Sequence, residues 1–251
     1  MRSAVLTAVT TMLLVTPVAA EKLASTVSTP NVQITSSFDG AVLSMFGSIE
    51  ADDPAVALMG PYNVIVVVTG PLQTRVARLK TNSFGIWTNT DQVTFKAFPS
   101  FYAVISSGKF ENIADATLLA DEAVLPEVQA AQTSQTGGPK GMQFGEELVR
   151  LMTDQGHFSV KEGSIQFLSP TAYVAQVTLP SDVANGAFLT HTLVLKDRQL
   201  VAERTEGFSV RKTGFENFVF VASRQQPLLY GIICVILALG TGWLAGVVFR
   251  R

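Results

Sequence analysis

From Leu228 to Phe249 the sequence LLYGIICVILALGTGWLAGVVF holds no charged residue, a run of 22. At about 1.5 Å of rise per residue this makes a helix of roughly 33 Å, enough to cross a hydrocarbon core of about 30 Å. Helices packed inside soluble proteins rarely stay apolar on every side for so long. Residues 228–249 are therefore predicted to be a transmembrane helix. Arg250 and Arg251 follow directly, and Tyr230 stands at the opposite mouth, where an amphipathic ring suits the headgroup zone.

The other end sets the orientation. Arg2 precedes an apolar run from Ala4 to Val15, Pro17 breaks it, and Val18-Ala19-Ala20 supplies small residues. This is the three-part pattern of a secretory signal peptide, so residues 1–20 are expected to be removed after Ala20. An exported N-terminus and a basic C-terminal stop agree on a single crossing. The body is predicted to face the periplasm of a bacterial inner membrane, with residues 250–251 as a cytoplasmic tail.

Charge and cysteine content narrow what the body can do. Without Arg2, Arg250 and Arg251, 15 of the chain's 18 basic residues remain against 20 acidic ones, a net of about −5. No basic stripe is present, which argues against a nucleic-acid partner. The sole cysteine, Cys234, lies inside the span. The body therefore has no disulfide, thiol nucleophile or thiolate metal ligand.

The pattern of residues 21–107 is that of a first β module. FDG (38–40) and ADDPA (51–55) are turn chemistry. NVIVVVTGP (63–71) reads as a strand buried on both faces. VTFKAF (93–98) alternates, with Val93, Phe95 and Ala97 on one side. Residues 108–156 are predicted to be a helical insert and linker. Phe110, Ile113, Ala114 and Leu118 make one helical stripe, and Phe144, Leu148, Leu151 and Met152 another. Between them PEVQAAQTSQTGGPKG (126–141) reads as a mobile polar linker. A second β module, 157–213, carries clean alternation through Tyr173, Ala175, Val177 and Leu179. It continues with Asn185-Gly186 in a turn and a hairpin reversing at Lys196 to Gln199. A juxtamembrane helix, 214–227, leads into the span. The expected fold is mainly β, with Ig-like antiparallel sandwich modules, a helical insert and one C-terminal transmembrane helix. The pattern leaves open whether the β modules form one domain or two.

Candidate chemistry is sparse. The stretch 83–102 holds six aromatics, Phe84, Trp87, Phe95, Phe98, Phe101 and Tyr102. Most read as core. Phe84 and Ile86 share a face in extended conformation, while Trp87 points to the other beside small and polar neighbours and is the candidate interaction residue. Arg75, Arg78 and Lys80 form the one local basic cluster, read as a solvated strand face or an anion- or partner-facing patch. His191 lies on the apolar side of its strand, and His157 follows a helix end that a cation would favour. Two isolated histidines make a weak metal case, so no metal or cofactor is predicted. Asp52-Asp53, Asp121-Glu122 and Glu146-Glu147 are adjacent pairs whose side chains diverge, although the last suits a helix N-terminus. No G-x-S-x-G, H-E-x-x-H, P-loop or Rossmann fingerprint is present, so the chain reads as non-enzymatic. In the span, Ala238, Gly242 and Gly246 recur every four residues with Cys234 on the same face, the spacing of close helix–helix contact.

The ordered set FGIWTN, FPSFYAV, LP…NGAF…LVLKD and PLLYG…GW…FRR, from about Glu21 onward, resembles the alphaproteobacterial transmembrane family labelled Alph_Pro_TM. That resemblance implies an exported N-terminal part and one C-terminal span, and it carries over no catalytic residues. It also implies an accessory role beside a permease of the sulfite-exporter type. The partners expected are thus the lipid bilayer and a membrane permease, or a second copy held through the span. A periplasmic ligand- or glycan-binding module is the alternative, and an enzyme without familiar motifs the second.

Overall fold

The computed structural model describes residues 21–34, 40–51, 60–212 and 215–248. The signal peptide, Asp52-Asp53, most of the FDG and ADDPA turns, and Arg250-Arg251 lie outside these residues. The described chain is mainly β, with a helical insert and an apolar C-terminal helix.

Two sheets face each other. The first has the order β1 (Glu21–Val27), β3 (Ala41–Ala51), β10 (Ala172–Leu179) and β9 (Gln166–Phe167). The second runs β2 (Asn31–Ile34), β12 (Gln199–Lys212), β11 (Gly186–Lys196), β4 (Asn63–Thr69), β7 (Tyr102–Ser106) and β8 (Phe158–Lys161). Most neighbours are antiparallel. The edge strands β2 and β8 pair in parallel, with β12 and β7 respectively. Strands from residues 21–107 and 157–213 are joined within both sheets: β10 pairs with β3, and β11 with β4.

The central strand β4 shows why this arrangement holds. Val64 to Val68 are all buried, as the apolar run requires. Val64, Val66 and Val68 enter the core between the sheets, with Leu43, Met45, Tyr173, Ala175, Val177 and Leu179. Ile65 and Val67 point the other way into a second core, with Phe110, Ile113, Val149, Met152 and Phe158. The body is therefore layered sheet, sheet and helices, and β4 lies in the middle layer. Period-two alternation delivers one strand's side chains to two cores.

The helical layer departs from expectation in three places. The first stripe breaks at Ala114, whose extended backbone separates α1 (Phe110–Ile113) from α2 (Ala116–Asp121). Residues 126–133, read as part of a mobile linker, form α3 (Pro126–Thr133). Pro126 occupies its first turn, where a missing N–H costs nothing, and Ala130 is buried against Gly145 of α4 (Gly138–Asp154). Gln135 N–H donates to Thr94 O at 2.8 Å, fastening the segment to the sheet strand below it. In α4 the buried stripe is Gly141, Gly145, Val149 and Met152, and Leu151 faces solvent. Because α4 starts at Gly138, Glu146 and Glu147 lie in its middle rather than at its N-terminus. There Glu147 pairs with Arg150 at 2.9 Å.

The turn at Lys196–Gln199 forms as read. Asp197 and Arg198 have φ of 48° and 68°, and Lys196 pairs with Gln199 across them. The C-terminal segment is α5 (Phe215–Gln225) followed by α6 (Pro227–Val248). The latter is 22 residues long and apolar along its length, and the rest of the protein does not bury its apolar side chains.

Candidate functional site

The most distinctive surface comes from the two-stranded ribbon β5 (Leu72–Ser83) and β6 (Ile86–Pro99). Its base belongs to the core. Val93, Phe95 and Phe98 are buried in the layer between sheet and helices. Phe95 and Phe98 are three residues apart, so strict alternation would place them on opposite faces. A bulge resolves this: Gln73 pairs with Phe98 and Arg75 with Phe95, leaving an extra residue on β6. Ala97 takes φ of 54° and is exposed, contrary to its expected place beside Phe95. Both rings then point inward, with centroids 5.7 Å apart, and Phe98 stacks on Phe158 at 5.4 Å.

Beyond Val93 the ribbon leaves the core. The described side chains from Arg78 to Gln92 are exposed, with only Thr81 half-covered. Ser83 pairs with Ile86, so Phe84-Gly85 is a two-residue loop with φ of 54° and 84°. That is the twist of a type I′ turn, in which both central residues have positive φ. Gly85 accepts it without strain and donates its N–H to Asn82 Oδ1 at 2.9 Å. Phenylalanine does not: a left-handed residue with a Cβ costs about 1–2 kcal/mol. Phe84 nevertheless occupies the tip fully exposed at 105 %, next to Ile86 and Trp87 at 67 % each. Its expected place on a core-facing strand fails because the chain reverses direction there. Of the six aromatics, Phe95, Phe98, Phe101 and Tyr102 are core, while Phe84 and Trp87 form an apolar tip held away from it.

The register sorts the basic cluster. Trp87 pairs with Asn82 and Lys80 with Asn89, and Arg78 is two residues before Lys80. Arg78, Lys80, Asn82, Trp87 and Asn89 thus share one face. Arg75 pairs with Phe95 and lies on the opposite face, half-buried towards the helices. The structure puts two of the cations on the face of the ribbon that carries Trp87 and the third on the other. Lys140 of α4 pairs with Asp91, bracing the ribbon just above its buried base.

The histidines occupy different settings. His157 is largely buried, with Nε2 3.2 Å from Asp182. His191 lies half-buried on the helix-facing side of β11, its Nε2 3.4 Å from Glu203 Oε2. Sequence spacing gives no hint of this second contact, because the partner arrives across the hairpin. Along α6, Ala238, Gly242 and Gly246 fall on one face, and nothing lies within 4 Å of where a Cβ would sit on Gly242 or Gly246. The helix can therefore be approached closely on that side.

A family model described as "Putative transmembrane protein (Alph_Pro_TM)" matches residues 22–251. The chain belongs to that family. The match spans the whole described body and α6, so the layered sandwich and the apolar helix are features of this Alph_Pro_TM protein as a unit. No curated protein and no solved structure matches the chain.

Proposed function

We propose that this Alph_Pro_TM protein is a non-enzymatic, single-pass accessory protein of an inner-membrane permease, of the sulfite-exporter type, with its body in the periplasm. The observation that carries the reading is the ribbon tip. Phe84, Ile86 and Trp87 are exposed together, and a left-handed phenylalanine is an unfavourable choice unless the ring itself is needed. Contiguous exposed apolar side chains rimmed by polar ones are the usual mark of an interaction surface. An exposed tryptophan that a partner covers commonly contributes about 2 kcal/mol or more to association. The apolar α6 supports membrane anchoring, and its small-residue face at Ala238, Gly242 and Gly246 supports packing against a membrane helix. Arg250 and Arg251 beside the apolar run favour a cytoplasmic C-terminus.

The test is a detergent pull-down of the full chain from its native membrane. A permease should co-purify, and Trp87→Ala should weaken its recovery by roughly 30-fold in affinity without lowering the melting temperature. Recovery of no permease would overturn the proposal. A second reading, a glycan-binding module, draws on the placement of Trp87 between Asn82 and Asn89 on one face, a ring beside amides. A thermal-shift screen of glycans and small anions that stays flat would dispose of it.

A further inference from the structure

We propose that Glu122, His191 and Glu203 bind a divalent transition-metal ion, zinc by their chemistry, and that this ion clasps the helical layer to the six-stranded sheet. The inference is independent of the permease reading. One ligand atom from each of these residues lies within 4.8 Å of the other two. They come from three elements. His191 is on β11, Glu203 is on β12 opposite Leu193, and Glu122 caps the C-terminus of α2. Residues paired across antiparallel strands share a face, as do residues two apart, so His191, Leu193 and Glu203 all face the helices.

Local structure holds the third ligand in place. Helix α2 ends because Ala123 adopts φ of 46°, and the N–H of Val124 returns to Leu119 O at 2.9 Å. The buried hydroxyl of Tyr102, on β7, donates to Ala123 O at 2.7 Å. A hydrogen bond from the core of the sheet thus fixes the residue next to Glu122. Close by, Arg198 in the β11–β12 turn donates to Ala114 O at 3.2 Å and pairs with Asp115 at 2.9 Å. The hairpin and the α1–α2 segment are already tied at one point, and the three ligands would tie them at a second.

Charge supports an ion rather than a simple pair. Two carboxylates share the cluster, and one imidazole neutralises at most one of them. Arg204, the residue after Glu203, turns to the other face, where it meets Leu23 O and Glu206. Among the described residues no cation pairs with Glu122. A divalent cation balances both carboxylates at once. An imidazole ligand disfavours calcium and magnesium, and without a thiolate the set of one nitrogen and two oxygens suits zinc, with water completing the shell. Zinc–ligand bonds of about 2.0–2.2 Å place tetrahedral ligand atoms roughly 3.4 Å apart. The 3.4 Å between His191 and Glu203 fits, and a rotamer change of Glu122 closes the rest. With Cys234 in the span, no disulfide can link these layers, so a metal is the covalent-strength staple open to the body.

The experiment uses the full chain in detergent, stripped by a chelator and titrated with zinc chloride by calorimetry. One ion per chain should bind and raise the melting temperature by several degrees. Glu122→Gln and His191→Ala should each weaken binding by more than about tenfold. Glu122→Gln keeps the size of a half-buried side chain and removes only its charge, so its result stands even if His191→Ala destabilises the protein. His157→Ala, at the other histidine, should bind zinc as the parent does. No zinc uptake, or equal affinity in the parent and Glu122→Gln, would overturn the site.

Discussion

At the scale of single residues, Gly47 and Tyr173 leave no room for a side chain between them. They face each other across β3 and β10, and a Cβ on Gly47 would lie 2.3 Å from the tyrosine ring. The ring occupies the space that any other side chain would take. Gly47→Ala should therefore cost about 1–3 kcal/mol as an overpacked core, read as a lowered denaturation midpoint. Tyr173 also reports on pH. Burial pushes its phenol up to about 12, and burial drives Tyr102 further in the same direction. In the unfolded chain both lose a proton near pH 10. The folded state holds a proton there that the unfolded state has lost, so this stabilisation is complete below about pH 10 and declines above it. The slope is at most about 1.4 kcal/mol per pH unit for each group. Tyr173→Phe should flatten the alkaline limb of a stability–pH curve, and an unchanged limb would contradict this account.

At the scale of elements, the β5–β6 ribbon has two ends with opposite demands. Its base follows packing: the bulge at Ala97 resets the alternation so that Phe95 and Phe98 both reach the core. Its tip follows neither packing nor turn preference, since asparagine would suit the first position of a type I′ turn better than Phe84 does. Phe84→Asn should leave the melting temperature unchanged or raised by a few degrees, because the left-handed strain is relieved and no core contact is lost. The same variant should lose the partner recovered by the parent chain. A marked drop in stability would show that Phe84 packs on something in the folded body. For α3, polarity misled the sequence reading. The helix buries little more than Pro126 and Ala130, so composition resembled a linker while Phe95, Gly145 and the Gln135–Thr94 bond held it in order.

At the scale of the whole molecule, β4, β7 and β11 belong to both cores. Damage on either face of β4 should lower the same transition. Ile65→Ala, in the sheet–helix core, should cost about 2–5 kcal/mol. Val64→Ala, in the sheet–sheet core, should shift that same single melt. Two resolved transitions in calorimetry of either variant would mean that the layers fold apart.

Much of this protein was legible in its sequence because the signals were local. An apolar, uncharged run of 22 residues makes a helix long enough to cross a bilayer, and the alternation from Tyr173 to Leu179 makes a strand with one buried face. Asp197-Arg198 closes a hairpin between runs that already match. These outcomes depend on backbone geometry and on the transfer of apolar side chains from water, which neighbours in sequence decide among themselves. The tertiary structure decided the rest. Pairing β10 with β3 and β11 with β4 wove two stretches, separated by the helical insert, into shared sheets. Pairing also brought Glu203 beside His191 and sent Arg75 away from Arg78. The turn at Phe84-Gly85 exposed a ring that its neighbours suggested was buried. Such placements depend on which distant strand or helix comes to lie alongside, and no local period encodes that choice.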